Sequence, residues 1–419
     1  MPPDRSAAAM TEVVRRLARD RDAAVRADAI VFLSRARPRW AAIRGLISAL
    51  EDLDGRVRRR AAEALRQHRD RATALLRHRL RDVTIASPDI VWCLAQIASP
   101  RARRLLGAHV RRLRDDAART TGLLGWIAAA PDRARWSALE LCLHDHLTRI
   151  VEVILAALSP AIDDRLALRV RYALQGADQR RRASAFELIA AGSASRVAPG
   201  ALALLRYLLF EDGAALRPVP GAGGPDDVLD QARASMSPWV RHAASRLEAR
   251  AASSPPVLAA ATVAGPFERI AAGGHDMALS DHELERIVAL KRAPLFGRVR
   301  FETMLEVARS VQARAYLAGE EVVAGGPGWP DLLILETGAL SIAQADGAGS
   351  LAAPACFGDI ALADERVPWP RITALEDSRV SFLRATVFQE LCREHPELAI
   401  ELSRLLARRL REAADPESG

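Results

Sequence analysis

Two hydrophobic rhythms divide the chain. Through the first 250 residues apolar side chains recur every three or four positions, as in IVWCLAQI, TGLLGWIAAA and IVEVILAAL, the spacing of one face of an α-helix. After residue 310 the pattern shortens to alternation between glycines, in ARAYLAGEEVV, DLLILETGALSIAQA and ITALEDSRVSFLRA. Helical spacing precedes these stretches in DHELERIVALKRAPLF and RFETMLEVARSVQAR. It returns in VFQELCREHPELAIELSRLLARRLREA, where Pro396 breaks a helix pair. The pattern predicts a multidomain protein: an all-α N-terminal part, then an α+β unit built on a small β-roll.

The N-terminal helices repeat. Asp22, Val25, Arg26, Ala29 and Leu33 are matched by Asp54, Val57, Arg58, Ala61 and Leu65, every pair 32 residues apart. A period of this length marks a solenoid of helical hairpins. In each copy Asp caps a helix, Val and Leu face inward, and Ala lets helices approach closely. The Arg is expected to reach back to the Asp of an adjacent turn, forming a ladder. Looser copies surround Asp178, Arg182, Ala185 and Ile189, and Ser237, Val240, Arg241 and Ala244. Between Ser87 and Arg165 helices without a clean repeat are expected. The glycine- and proline-rich stretch at 211–227 reads as a loop before the last hairpin. These segments resemble HEAT repeats over residues 10–250. The division that follows is a solenoid at 1–250, a linker at 251–280, a roll domain at 281–413 and a tail at 414–419.

The second unit carries five landmarks in order: Pro294-Leu295-Phe296, Gly319-Glu320, LILETG ending at Gly338, the run from Phe357 to Leu362, and HPELAIELSRLLARRL. Together they are similar to the cyclic nucleotide-binding domain. The resemblance implies a phosphate cassette with backbone amides from Gly358, Ile360 and Ala361, a ribose contact from Asp359, charge from Arg371 and a hydroxyl from Thr373. Cyclic AMP or cyclic GMP is the ligand so implied, without a metal. The chain departs from the family in three ways. Asp359 stands where nucleotide-binding members usually have Glu, which shortens its reach by about 1.5 Å. Twelve residues separate it from Arg371, more than the family's usual nine or ten. Pro368 and Pro370 flank Trp369 just before the arginine. A ligand-free cassette would instead pair Arg371 with Asp364 or Glu365.

Charge sharpens the division. Residues 1–250 hold 43 arginines and no lysine against 28 acidic residues, a net charge of +15, whereas residues 251–419 carry −7. A positive solenoid suits an acidic protein, a membrane face or nucleic acid. No aromatic residues are interleaved with its basic runs to stack bases, so a protein partner is expected and nucleic acid is the minor alternative. The four cysteines form no CxxC pair and read as buried free thiols. Cys142, His144 and His146 do not share a helix face and predict no metal site. Apolar runs fall short of the roughly 18 residues of a spanning helix, and no secretory signal is visible, so a cytoplasmic protein is expected.

No nucleophile, base and orienting group stand together in a recognised motif. The expected function is a non-catalytic regulatory scaffold, in which the nucleotide-binding-like domain controls the solenoid's partner-binding surface. The order of the two parts is similar to the cytoplasmic part of bacterial proteins that begin with a transporter-like membrane domain. Two alternatives remain: a degenerate, ligand-free roll serving as an interaction or dimerisation module, and nucleic-acid binding by the basic solenoid.

Overall fold

The computed structural model describes residues 20, 22–35, 39–52, 54–158, 179–192, 200–210, 224–252, 281–326, 331–344, 347–363 and 369–414. Two compact units divide between Ala259 and Ala260.

The first unit is helical: α1 Ala23–Arg35, α2 Arg39–Ala49, α3 Gly55–Arg66, α4 Arg69–Arg79, α5 Ser87–Ile97, α6 Pro100–Ala129, α7 Ser137–Leu158, α8 Gln179–Gly192, α9 Ala201–Phe210, α10 Pro225–Arg233 and α11 Pro238–Ala252. Alternate helices stack, α1 on α3, α3 on α5 and α5 on α7, and a continuous buried cluster joins them from Ala23 to Met236. Val57, Ala61 and Leu65 are buried within it. Asp54 caps α3 by accepting the Arg56 amide, and Asp22 accepts the Ala24 amide in the same way at α1.

The repeated arginines are shared between neighbouring turns. Arg26 donates to the Asp20 carbonyl at 2.9 Å and to the Asp52 carboxylate at 2.8 Å. Arg58 donates to the Asp52 carbonyl at 2.7 Å and to Asp89 at 3.1 Å. Arg241 does the same to the Ser235 carbonyl at 2.9 Å and Asp82 at 3.0 Å. In these three copies the carbonyl lies six residues back. For Arg26 and Arg58 the carboxylate lies ahead, in the next turn, which corrects the expected backward ladder. In Arg26 and Arg58 one guanidinium nitrogen satisfies its own loop and another the neighbouring turn, whereas in Arg241 one nitrogen is shared between the two.

One further expectation changes. The stretch at 211–227 is not loop to its end: 211–223 lie outside the described residues, but Pro225 starts α10, with Asp226 and Asp227 in its first turn. Asp178 also lies outside them, while Ala185 and Ile189 of that copy are buried on α8. The α10–α11 hairpin packs α11 on α7 and α10 on α6, and Met236 accepts the Val83 amide at 2.9 Å. It therefore sits beside earlier helices.

In the second unit α12 Asp281–Lys291 and α13 Phe301–Ser310 pack together ahead of the strands. The strands are β1 Gln312–Tyr316, β2 Glu321–Val323, β3 Asp331–Thr337, β4 Ala339–Gln344, β5 Gly347–Ala352, β6 Ala355–Phe357, β7 Ile372–Ala374 and β8 Ser378–Arg384. They form two antiparallel four-stranded sheets, β1-β8-β3-β6 and β2-β7-β4-β5. Leu333, Leu335, Leu340, Ile342, Ile372, Val380 and Phe382 make the interior. The β3–β4 turn needs Gly338, whose φ is +92°. A Cβ there would lie 2.7 Å from the Ser378 Cα. A single-turn helix, α14 Asp359–Ala363, follows β6. The chain closes with α15 Ala385–Glu394 and α16 Pro396–Ala414, parted at His395-Pro396. β5 was not anticipated, because GAGSLA has neither β-branched residues nor a clear alternation.

Candidate functional site

The site expected from the sequence lies where β6 enters α14 and where the chain returns to β7. Gly358 joins β6 to α14 with φ +92°. A Cβ would lie 2.6 Å from the Trp369 ring and 2.8 Å from the Asp331 carbonyl, so this position admits no side chain. Trp369 is buried in the roll interior and meets Phe357 edge to face, with ring centroids 5.3 Å apart. Its main chain is bridged to Gly326 by two hydrogen bonds, of 2.9 and 3.0 Å. The Pro-Trp-Pro insertion thus spends its aromatic residue on the core.

Asp359 does not face outward. Its side chain is 1 % exposed and pairs with Arg409 of α16 at 2.9 Å, and a second Arg409 nitrogen donates to the Cys356 carbonyl at 3.1 Å. The contact is an ion pair without hydrogen-bond alignment; neither carboxylate oxygen has a well-aligned donor among the described residues. Burial pushes the Asp359 carboxyl above its ordinary range, opposed by Arg409 and by the amides of Asp359 and Ile360. The neighbouring Cys356 thiol is pushed up by burial to about 12 and is inert. α14 packs on both β3 and α16, so Asp359 fastens the cassette to the last helix.

Arg371 is different. Its side chain is 66 % exposed, with Glu321 of β2 at 3.4 Å. Its main chain is fixed, since its carbonyl accepts the Ala343 amide at 2.9 Å, and a Cβ on Gly325 would come within 3.0 Å of its amide nitrogen. Among the described residues the carboxylate it meets is Glu321; Asp364 and Glu365 lie outside them. Ile360 is about half exposed, Ala361 lies within α14, and Thr373 is half-buried in β7, opposite Glu321 and Ser341. The structure brings Gly358 and Asp359 together beneath α16 and sets Arg371 in the open. The amides of Gly358, Ile360 and Ala361 lie at and just before this single turn.

Arg409, Trp369 and Glu321 escaped the sequence reading. Arg409 stands among Arg404, Arg408 and Arg411, and no local signal separates it from them.

A second cluster lies where α13 meets the break between α15 and α16. His395 is buried, with Nε2 2.9 Å from Glu306 Oε2 and Nδ1 3.3 Å from the Thr303 hydroxyl. Thr303 donates to Glu397 at 2.7 Å, and Arg300 binds the same carboxylate at 2.8 and 3.1 Å. Burial disfavours the charged form of Glu397, but Arg300, Thr303 and His395 hold its carboxyl down at about 2. In the first unit, His146 turns inward to Asp116 at 2.6 Å while His144 bonds the Glu140 carbonyl of its own helix, so these two histidines do not converge.

No described helix is long and apolar enough to cross a membrane. No family model matches the chain, and no curated protein matches it. Among solved structures, it is similar to the N-terminal domain of a transcriptional regulator from Streptomyces coelicolor A3(2), with 26 % identity over 30 % of this chain and 94 % of that one, at a TM-score of 0.26. It is also similar to the catabolite activator protein of Thermus thermophilus, with 30 % identity over 29 % of this chain and 60 % of that one, at a TM-score of 0.26. A third is the regulatory domain of Toxoplasma gondii PKA crystallised with cAMP, with 17 % identity over 31 % of this chain and 50 % of that one, at a TM-score of 0.27.

Proposed function

We propose that the chain is a non-catalytic regulatory protein, in which a cyclic nucleotide-binding-like roll governs a partner-binding array of HEAT type. The single observation that carries this reading is the division of labour between the two expected ligand residues. Arg371 stands exposed on a fixed main chain, as a phosphate contact must. Asp359 is instead committed to Arg409 and ties the cassette to the closing helix. A cyclic nucleotide is then held by its phosphate through Arg371, and the state of the cassette is read by α16. The array supplies the surface for an acidic protein partner.

Isothermal titration of the full chain with cyclic AMP and cyclic GMP tests this. Heat with either nucleotide, lost in Arg371→Ala and kept in Asp359→Asn, supports the reading. Binding that depends on Asp359 and not on Arg371 refutes it. A second reading has its own support: Trp369 fills the roll beside Gly358, and Glu321 already faces Arg371. No heat with either nucleotide favours that reading, a ligand-free roll acting as an interaction module.

A further inference from the structure

We propose that Glu306, Glu394 and His395 form a site for one divalent transition-metal cation, bridging α13 to the joint between α15 and α16. The sequence predicted no metal, and nothing in it links Glu306 to His395, 89 positions later. In the fold, one ligand atom from each lies within 4.8 Å of the other two.

The hydrogen-bond directions argue for a cation. Thr303 has one hydroxyl proton and gives it to Glu397 at 2.7 Å, so toward His395 it is an acceptor. Nδ1 of His395 therefore carries a hydrogen, and Nε2 faces Glu306 Oε2, 2.9 Å away, where a proton or a metal ion can bridge the two. A metal ion that displaces that proton takes the Nε2 lone pair of the neutral ring and the Glu306 carboxylate together. The other oxygen, Glu306 Oε1, is buried with no partner among the described residues. Arg300 is already committed to Glu397.

The donor set chooses the metal class. One imidazole and two carboxylates suit Zn²⁺, Mn²⁺ or Fe²⁺ better than Mg²⁺ or Ca²⁺, which take all-oxygen shells. Bonds of about 2.0–2.2 Å put tetrahedral ligand atoms roughly 3.3–3.6 Å apart, so the 2.9 Å His395–Glu306 pair would open by about half an ångström around an ion. Glu394 is exposed beside them. The Thr303–His395 contact is the outer support that orients a metal-binding imidazole. A bound ion would clasp the helix before the roll to the break between the closing helices, whether or not a nucleotide binds the cassette.

The test is calorimetric titration of the chelator-treated full chain with Zn²⁺, with Mg²⁺ as the comparison. One equivalent of Zn²⁺ should bind far more tightly than Mg²⁺. Glu394→Ala, a surface change that leaves the fold intact, and Glu306→Gln should each weaken that event tenfold or more. Thr303→Val should weaken it about 10- to 100-fold, as loss of an outer partner does. Hydrogen exchange at 303–310 and 391–398 should slow on Zn²⁺ addition in the parent and not in Glu394→Ala. The proposal is overturned if no Zn²⁺ binds, or if binding and exchange are unchanged by both Glu306→Gln and Glu394→Ala.

Discussion

Replacing Arg409 with leucine should loosen the cassette without unfolding the roll. The change removes the cation 2.9 Å from a carboxylate that is 1 % exposed, together with a donor to the Cys356 carbonyl. Stranding one member of a fully buried pair costs about 3–5 kcal/mol. Arg409 itself is 37 % exposed, so water screens part of that attraction and about 2–3 kcal/mol is expected. At 1.4 kcal/mol per tenfold, amide protection over 355–363 should fall roughly 30- to 140-fold in the intact chain, read by hydrogen exchange and mass spectrometry. The loss should also depend on pH. Asp359 already has a raised folded pKa, so the folded state binds its proton more tightly than the unfolded state. Stability from this group is therefore present at low pH and lost as pH rises through the folded value. Without Arg409 the defect should be smaller at pH 5 than at pH 8. Adding Asp359→Asn should restore most of the protection, because a neutral amide needs no counter-charge. Unchanged protection in Arg409→Leu, or a double variant no better than the single, would refute the reasoning.

Three other outcomes follow from single residues. His109 is buried in α6, neither ring nitrogen has a partner among the described residues, and burial, helped by Arg112, lowers its pKa to about 4. The unfolded chain then binds more protons between about pH 6.5 and 4, so stability should drop by about 3 kcal/mol as pH falls through that window. His109→Leu should remove this slope in urea titrations followed by circular dichroism, and a slope that persists contradicts it. Gly338→Ala should destabilise the roll by roughly 2–4 kcal/mol, since it combines a positive φ with contact on the Ser378 main chain; Gly125→Ala, on a helix with nothing within 4 Å, should stabilise by up to about 1 kcal/mol. Equal melting shifts for the two would defeat the argument. Arg58→Met should lower the first unit's melting temperature more than Arg59→Met, because Arg58 joins two turns by charge-assisted hydrogen bonds, whereas Arg59 meets the neighbouring helix by stacking on Trp92.

The positions that repeat were legible because each does local work: Asp22 and Asp54 cap, and Val57, Ala61 and Leu65 fill a helix face. The direction of the arginine contacts was not legible, since either neighbouring turn offers an aspartate and only the stagger of the helices selects one. The turn glycines of the roll could be read from their spacing, because Gly338 and Gly358 hold angles other residues adopt only with strain. The partner of Asp359 could not, because the choice of Arg409 among four arginines depends on how α16 lies over α14. The same holds for Glu321, which meets Arg371 through the pairing of β2 with β7. For His395 the sequence offered a proline break and nothing to foretell the carboxylate of Glu306 from a helix 89 positions earlier.

The shared arginines also have a mechanical meaning. Each guanidinium grips a carbonyl of its own turn and a carboxylate of the neighbouring one, so two hairpins cannot slide or splay without breaking charge-assisted bonds together. A stack of helices held by apolar contacts alone would flex at each interface. One pinned by Arg26 and Arg58 should bend as a stiff rod over its first three layers and transmit a pull along its length.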